Sequence, residues 1–156
     1  MSLGTFKGGA HPYEGKVLSE NCAIEELRFD GEYIFPLSQH IGAPAKACVQ
    51  VGDTVLAGQV IAEAGGFISA NVLSSVSGTV KAIEPRMQVS GFPVMSVVVE
   101  SDGRFETVEG YGQKRDIDAL SKDEIRDIVK AAGIVGIGGA GFPTAVKLMP
   151  KNDDAI

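Results

Sequence analysis

The stretch from residue 34 to about residue 100 most constrains the fold, because turn signals recur in it about every ten residues. Three glycine-containing pairs break the chain between short segments of strand-like composition: Gly52-Asp53, Gly65-Gly66 and Ser77-Gly78. The spacing therefore predicts a mainly β fold, built as a small sandwich or barrel.

Alternation of apolar and polar residues marks the strands within this stretch. Ala47, Val49 and Val51 alternate with polar residues, which predicts a strand with one buried face. Val60 and Ala62 are predicted to share one face of the next strand. Val80 and Ala82 alternate with polar neighbours in the same way. The run 94–99 is almost entirely apolar, which predicts a strand buried on both faces.

Residues 45–84 resemble the barrel-sandwich hybrid domains of biotinyl and lipoyl carriers. The resemblance is carried by VGDTVLAGQVIAEA and, after a gap, by SSVSGTVKAI. In those carriers the modified lysine sits at the hairpin tip between the two halves of the barrel. The corresponding stretch, Ala64 to Ile68, has no lysine, and Lys81 lies in a strand beyond the next turn. We therefore expect the carrier fold without the carrier activity, and the absent lysine argues against a swinging-arm module.

A helix is predicted with well-defined ends after residue 120. Ser121 and Glu124 have the spacing of a capping box, in which each side chain bonds the other residue's backbone N–H. Apolar residues then follow at helical spacing, and Gly133 is a natural C-terminal cap. The residues of this stripe are Ile125, Ile128, Val129 and Ala132.

A glycine-rich run follows this helix, with Gly136, Gly138, Gly139 and Gly141 within six positions. Glycines let the backbone approach a ligand closely and adopt angles that side chains forbid. The run is predicted to open a second short helix at residue 144, whose N-terminus would present free N–H groups to an anion. The pattern thus favours a phosphate-bearing cofactor, although most glycine-rich loops merely turn the chain.

The run 133–144, with Lys147 after it, resembles the flavin- and NADH-binding loop of the complex I flavoprotein subunit. Residues 7–12, 14–16 and 36–44 resemble the N-terminal region of the RnfC family, whose members belong to the Rnf electron transport complex. The resemblance covers about residues 5 to 150. A related cobalamin reductase flavoprotein shares the glycine loop and the barrel region and is the alternative.

The resemblance implies an electron-transfer function in which FMN takes electrons from NADH and passes them to two [4Fe–4S] clusters, coupled to ion transport. It implies that Gly136, Gly138 and Lys147 contact FMN and that Gly139 and Phe142 line the NADH position, Phe142 stacking on the adenine. Ala140 and Gly141, in the same loop, are also expected to bind the cofactor. Complex I has an arginine where this chain has Ile137, so any contact of that arginine is missing here.

The same resemblance sets the expected domain organisation. Residues 1–34 are predicted to be an arm lying across a neighbouring surface, 35–100 the barrel-sandwich domain, 101–120 a linker, and 121–156 the truncated start of an α/β FMN/NADH-binding domain. The remaining flavin pocket and the cluster cysteines would lie beyond Ile156. We therefore expect this chain by itself to bind neither FMN nor a cluster and to contain no catalytic residue.

Partners and location follow from composition and resemblance together. The net charge is −6 and no basic block occurs, which argues against nucleic-acid binding. No apolar stretch approaches the roughly 20 residues of a membrane helix. The resemblance implies a peripheral protein on the cytoplasmic side of the membrane, bound to other Rnf subunits. A non-catalytic docking module, in which residues 36–100 only join one subunit to another, remains a second interpretation.

The remaining reactive side chains have plain structural explanations. Cys22 and Cys48 form no metal-binding or disulfide pattern and are expected to be reduced thiols. His11 and His40 have no third ligand at zinc spacing, so no metal site is expected and each is predicted to cap a turn. Phe67, at the hairpin tip, either contacts another domain or folds back on its own barrel.

Overall fold

Two antiparallel sheets form the body of the molecule in a computed structural model, which describes residues 13–26 and 28–149. The first sheet has the order β1 (Glu32–Pro36), β7 (Pro93–Ser101), β6 (Gly78–Met87) and β3 (Thr54–Val55). The second has the order β2 (Lys46–Ala47), β4 (Val60–Glu63) and β5 (Val72–Leu73). The predicted mainly β, barrel-sandwich fold is therefore confirmed.

The core lies between the two sheets and consists mainly of valine and alanine, with Ile61 at its centre. Val80, Val97 and Val99 project into it from the long β6–β7 ladder, in which Val80 pairs with Val99. Residues 96–99 are buried on both faces, as predicted for the apolar run. The prediction is wrong at the start of that run, because Met95 is 46% exposed.

Two strand assignments were wrong in detail. Val51 is exposed, because the chain already turns at residues 50–53, where the Gln50 N–H donates to the Asp53 carboxylate at 2.8 Å. In β4, Ile61 and Ala62 are both fully buried, although alternation placed Val60 and Ala62 on one face and so separated Ile61 from Ala62. The pairing with β5 shifts register between Val60 and Ala62, and such a bulge turns two consecutive side chains inward.

The predicted helix is confirmed as α1 (Lys122–Ala131), and both ends have the expected caps. Ser121 and Glu124 form a complete capping box. At the other end Gly133 has a φ of +63°, and its N–H donates to the Lys130 carbonyl while the Ile134 N–H donates to Val129. This is the Schellman arrangement, which satisfies the last carbonyls of a helix.

The first half of the predicted linker lies along the barrel. The Ala57 N–H donates to the Glu106 carbonyl at 2.8 Å, and the Val108 N–H donates back to Ala57 at 3.0 Å. A Cβ on Gly58 would stand 2.6 Å from the Tyr111 ring, so Tyr111 also packs closely against the barrel at Gly58. A short 3-10 turn (Ile117–Ala119) then leads into α1.

The N-terminal segment from residue 13 is irregular apart from a 3-10 turn at Lys16–Leu18, and its apolar side chains Val17, Leu18 and Ile24 are exposed. It joins the barrel where the Phe29 and Tyr33 rings stack, 4.5 Å apart. The motif 7–12, with His11, lies outside the described residues, as do residues 150–156. The proposed division of the chain at residues 34, 100 and 120 stays a prediction.

Candidate cofactor site

The glycine-rich run forms a loop that is closed at its base by two backbone hydrogen bonds. The Gly136 N–H donates to the Phe142 carbonyl at 3.0 Å, and the Thr144 N–H donates to the Ile134 carbonyl at 2.9 Å. Val135 and Pro143 face each other across this base as an isolated antiparallel bridge. The ends of the loop are thus fixed, and residues 137–141 form its rim.

The outer part of the rim, residues 137–139, is open, whereas Ala140 and Gly141 contact the barrel. A Cβ built on Gly138 or Gly139 would meet no atom within 4 Å, and the Ile137 side chain is fully exposed. Within residues 13–26 and 28–149, the amides of 137–141 donate no hydrogen bond to another residue. Successive amides without internal partners, on a backbone without side chains, are the groups that bind phosphate oxygens in nucleotide-binding loops.

Lys147 brings a positive charge to the base of this loop. A Cβ on Gly136 would stand 2.6 Å from the Lys147 ammonium, so glycine at this position leaves the room that the lysine occupies. The same ammonium lies 5.9 Å from the centre of the Phe142 ring. Three of the residues predicted to bind the cofactor, Gly136, Phe142 and Lys147, are therefore neighbours.

The second helix begins where the sequence predicted but is only one turn long. It is α2 (Thr144–Lys147), and Pro143 precedes it without a side-chain cap. The first amide of this turn, on Thr144, is already used by the Ile134 carbonyl. The expectation that a helix N-terminus would present free N–H groups to an anion is thus wrong at this first amide, whereas the rim amides of the loop have no partner among the described residues.

An open groove of about 580 Å³ lies beside the loop, and the barrel forms its other wall. Residues 38–41 of the barrel face residues 135–141 across this groove. The Ile41 N–H donates to the Ala140 carbonyl at 3.1 Å, which ties the loop to the barrel. Sequence reasoning did not assign these barrel residues to the site, because no local pattern shows that residues 38–41 and 135–141 meet.

The hairpin tip that joins β4 to β5 is packed in place rather than free. The Ser69 hydroxyl donates to the Ala43 carbonyl at 2.8 Å and accepts the Gly65 N–H at 2.9 Å. Ala43 in turn donates its N–H to the Ile68 carbonyl at 3.0 Å. Phe67 is 74% exposed, so it does not fold back on the barrel. This tip therefore differs in chemistry from the lysine-bearing tip of a carrier.

Lys81, the lysine nearest to the carrier pattern, is engaged elsewhere. Its ammonium lies 2.8 Å from the Glu100 carboxylate and 2.9 Å from that of Glu32, on the outer face of the first sheet. These two carboxylates raise the pKa of Lys81, the contacts with Glu100 contributing most. The lysine is thus held in its charged form, which does not suit an acyl acceptor.

His40 is largely buried and contacts the backbone of a distant segment. It is 8% exposed, and its Nε2 accepts the Ala70 N–H at 3.1 Å. Over residues 13–26 and 28–149 no three His, Cys, Asp or Glu side chains are grouped as metal ligands. Cys22 and Cys48 are free and exposed thiols. In the described part of the chain, no helix has the length and apolarity needed to cross a membrane.

Comparisons with known proteins agree with this fold. Residues 4–104 match the family model of the RnfC barrel sandwich hybrid domain. The chain is 49% identical, over 98% of its length, to one subunit of a Na(+)-translocating ferredoxin:NAD(+) oxidoreductase complex from Acetobacterium woodii. It is 41% identical, over 99% of its length, to the corresponding subunit of a proton-translocating ferredoxin:NAD(+) oxidoreductase complex from Clostridium ljungdahlii.

A third relative is the corresponding subunit of an ion-translocating oxidoreductase complex from Pseudomonas aeruginosa, with 41% identity over 99% of this chain. The chain spans 34% of the length of the first two relatives and 20% of the third. The similarity therefore extends through the barrel and the glycine loop but covers about one third or less of each relative.

Proposed function

We propose that this chain, which belongs to the RnfC family, is part of a subunit of an ion-translocating ferredoxin:NAD oxidoreductase complex and that its glycine loop binds FMN. The family membership supports the first half of this proposal. The observation that carries the second half is the set of unbonded rim amides on open main chain at 137–139, with Lys147 beside Gly136 at the base of the loop. Both halves apply to the full-length protein that contains this sequence.

The loop fits a phosphate-bearing cofactor in three respects. The amides of the rim point at no protein partner in the described residues, the two central glycines leave space on the ligand side, and the lysine supplies the opposite charge. In this proposal Gly136, Gly138 and Lys147 contact FMN. Charge-assisted hydrogen bonds from an ammonium to phosphate are among the stronger contacts that a site like this can make.

FMN, when bound, supplies the conversion between the two-electron chemistry of NADH and the one-electron chemistry of iron–sulfur clusters. The chain contributes binding and orientation. Gly139 and Phe142 are proposed to line the NADH position, because Phe142 offers an aromatic face at the edge of the same loop. Ala140 and Gly141 hold the far side of the loop on the barrel, through the Ile41 N–H.

The iron–sulfur clusters of the proposed function do not fit this chain. Such clusters normally take four cysteine ligands each, whereas this sequence has two cysteines, Cys22 and Cys48. Both thiols are exposed and belong to no group of metal-binding side chains among the described residues. We propose that the clusters bind to the part of the full-length protein that corresponds to the length of the relatives that this chain does not span.

The proposed partners are the other subunits of the complex, and the proposed location is the cytoplasmic face of the membrane, without insertion. A co-expression experiment tests this directly. The full-length protein should sediment with membranes when the other subunits are present and remain in the supernatant when they are not. Sedimentation of the protein expressed alone would contradict binding through partners.

Cofactor binding is tested on the full-length protein with matched lysine variants. Lys147→Gln removes the charge beneath the loop, and Lys130→Gln removes the same charge from the last turn of α1. We expect Lys147→Gln to weaken FMN binding about tenfold, as for the loss of one charge-assisted hydrogen bond, and Lys130→Gln to leave it unchanged. Quenching of flavin fluorescence measures both affinities.

Gly139→Ala provides an independent test of where the ligand lies. A methyl group there meets no protein atom within 4 Å, so the fold should tolerate it, while a cofactor lying on the rim should not. Equal FMN affinity of this variant and the wild type would contradict a cofactor on the rim. We also propose that the chain of 156 residues alone retains no FMN through gel filtration, because one side of its loop is open.

A further inference from the structure

We propose that His40 is a positioning residue that sets the place of the glycine loop relative to the barrel, and through it the geometry of FMN binding. This inference rests on the proposed function, because it assigns a role to the barrel in that same site. It concerns a residue that does not itself touch the cofactor. Its physical basis is a set of contacts that join three segments far apart in sequence.

The ring of His40 connects the loop after β1 to the hairpin tip between β4 and β5. Its Nε2 lies 3.1 Å from the amide nitrogen of Ala70, thirty residues away, and its Nδ1 lies 3.1 Å from the Ile41 carbonyl oxygen. An amide can only donate, so Nε2 accepts and the ring proton resides on Nδ1, which donates to Ile41. The histidine is 8% exposed, so water does not readily replace these contacts.

The backbone beside the same ring connects to the glycine loop. The Ile41 N–H donates to the Ala140 carbonyl at 3.1 Å. A Cβ on Gly141 would stand 3.0 Å from the His40 Cα, so the two backbones are in direct contact. Ile41 thus accepts a hydrogen bond from the His40 ring through its carbonyl and donates one to the glycine loop through its amide.

These contacts form one continuous path from the tip at Ala70, through His40 and Ile41, to the loop at Ala140 and Gly141. Other contacts hold the tip itself, chiefly the Ser69 hydroxyl between Gly65 and Ala43. The tip therefore acts as a fixed support. Where a carrier has a mobile lysine-bearing tip, this barrel has an anchored tip that supports the cofactor loop.

Two substitutions separate positioning from simple packing. His40→Gln places an amide oxygen where Nε2 stands, so it can still accept the Ala70 N–H. His40→Asn is shorter and keeps only the contact near Nδ1, so it leaves the Ala70 N–H without its partner. Removal of groups that orient metal-binding side chains typically costs about 10- to 100-fold in affinity. We expect the low end here, about a tenfold weaker FMN affinity in His40→Asn.

The experiment measures three quantities in the full-length protein: FMN affinity, the visible circular dichroism of bound flavin, and loop exchange without FMN. Loop exchange here means amide hydrogen exchange of Ile41 and Gly136, whose N–H groups donate to the Ala140 and Phe142 carbonyls of the loop. His40→Asn should weaken binding, change the flavin dichroism and accelerate exchange in the loop, and His40→Gln should restore all three. A lower unfolding temperature in His40→Asn with unchanged affinity, dichroism and loop exchange would show a purely structural residue and overturn the inference.

Failure of the proposed function gives a different result. If the wild-type protein binds no FMN, the hydrogen-exchange arm still decides whether His40 orders the loop. Faster exchange in His40→Asn and recovery in His40→Gln would then support positioning of the loop while FMN binding is refuted. Should His40→Asn not fold, Gly141→Ala perturbs the same junction from the loop side and must show the same loop exchange for the inference to stand.

Discussion

The backbone of Gly141 lies directly against that of His40, so that a Cβ atom on Gly141 would stand 3.0 Å from the His40 Cα. It would also stand 2.7 Å from the Gln39 carbonyl oxygen. Gly141 has a φ of +64°, which side chains disfavour. Both the conformation and the contact therefore require glycine here, and the glycine loop can dock on the barrel only because this position has no side chain.

The first prediction concerns this docking. Gly141→Ala should reduce the free energy of unfolding by about 2 kcal/mol, since a residue held in the left-handed region costs about 1–3 kcal/mol. Urea denaturation measures the loss, and faster hydrogen exchange of the Ile41 amide shows that the loop has moved. Gly138→Ala is the control, because Gly138 also has a positive φ, +86°, but a Cβ there meets no atom within 4 Å. A loss of equal size in both variants would refute the docking contact.

A second prediction concerns the junction of α1 with the hairpin tip. A Cβ on Gly133 would overlap the Asn71 carbonyl oxygen, and the Asn71 side-chain amide donates to the Ala131 carbonyl at 3.3 Å. Gly133→Ala should therefore separate the helix end from the tip as well as strain the backbone. We expect a loss of at least about 2 kcal/mol in the free energy of unfolding.

The matched control for that prediction is Gly112→Ala. Gly112 has a φ of +71°, close to the +63° of Gly133, but a Cβ there would meet no atom within 4 Å. It thus reports the backbone strain alone. Urea denaturation measures the loss of unfolding free energy in both variants, and the difference between the two losses is the contribution of packing at Gly133. Equal losses would mean that the contact of Gly133 with Asn71 contributes nothing to stability.

Local features of this fold were predictable from the sequence, and contacts between distant segments were not. The capping box at Ser121 and the glycine cap at Gly133 depend on residues within one turn of each other, so their spacing alone defines them. The bulge at Ile61 was missed because strict alternation assumes unbroken pairing. Nothing near His40 in the sequence indicates that its ring accepts the amide of Ala70, since that contact exists only after the barrel closes.

The same distinction applies to the candidate site. Residues 136–141 and Lys147 were found because the glycine pattern is contiguous. The groove wall formed by residues 38–41 was not predicted, because only the tertiary fold brings these residues next to the loop. In the predicted linker, polar, glycine-containing composition indicates a turn-rich segment but does not reveal that Glu106 and Val108 pair with Ala57.

A third prediction concerns acid stability and starts from a buried serine. The Ser77 hydroxyl donates to the Asp102 carboxylate at 2.6 Å and accepts the Glu106 N–H at 2.9 Å. The hydrogen bond from Ser77 is the main cause that holds the pKa of Asp102 below its ordinary value, with the Arg104 amide adding to it. The pKa of Asp102 is thus lower in the folded protein than in the unfolded chain. Its carboxylate therefore stabilises the fold at pH values above its ordinary pKa, and this stabilisation is lost as the pH falls through the pKa of the folded protein.

Ser77→Ala should remove the larger part of this effect. The free energy of unfolding should fall by about 1–3 kcal/mol near neutral pH, because the Glu106 N–H loses its acceptor. The further decline below about pH 4 should become shallower than in the wild type. Ser74→Ala is the matched control, since Ser74 is equally buried but donates to the Val76 carbonyl. A shallower acid decline in both variants would argue against the pairing of Ser77 with Asp102.

The last prediction concerns the start of α1, which positions the helix that supports the glycine loop. The Ser121 hydroxyl accepts the Glu124 N–H at 3.3 Å, and the Glu124 carboxylate accepts the Ser121 N–H at 2.8 Å. Ser121→Ala should reduce the free energy of unfolding by about 1 kcal/mol, the usual effect of losing a serine N-cap. Hydrogen exchange should accelerate in the first turn of α1, while Ser90→Ala, in the exposed β6–β7 turn, should leave it unchanged.

The pH dependence gives this prediction a second readout. Hydrogen bonds from Ser121, first its side chain and then its backbone, lower the pKa of Glu124. The folded pKa is the lower one, so the capping box is complete above the ordinary carboxyl range and is lost as the pH falls through the folded value. In the wild type the first turn of α1 should therefore fray on acidification. In Ser121→Ala it should already be frayed near neutral pH and change less, and an unchanged acid response would count against the capping box as the device that fixes this helix end.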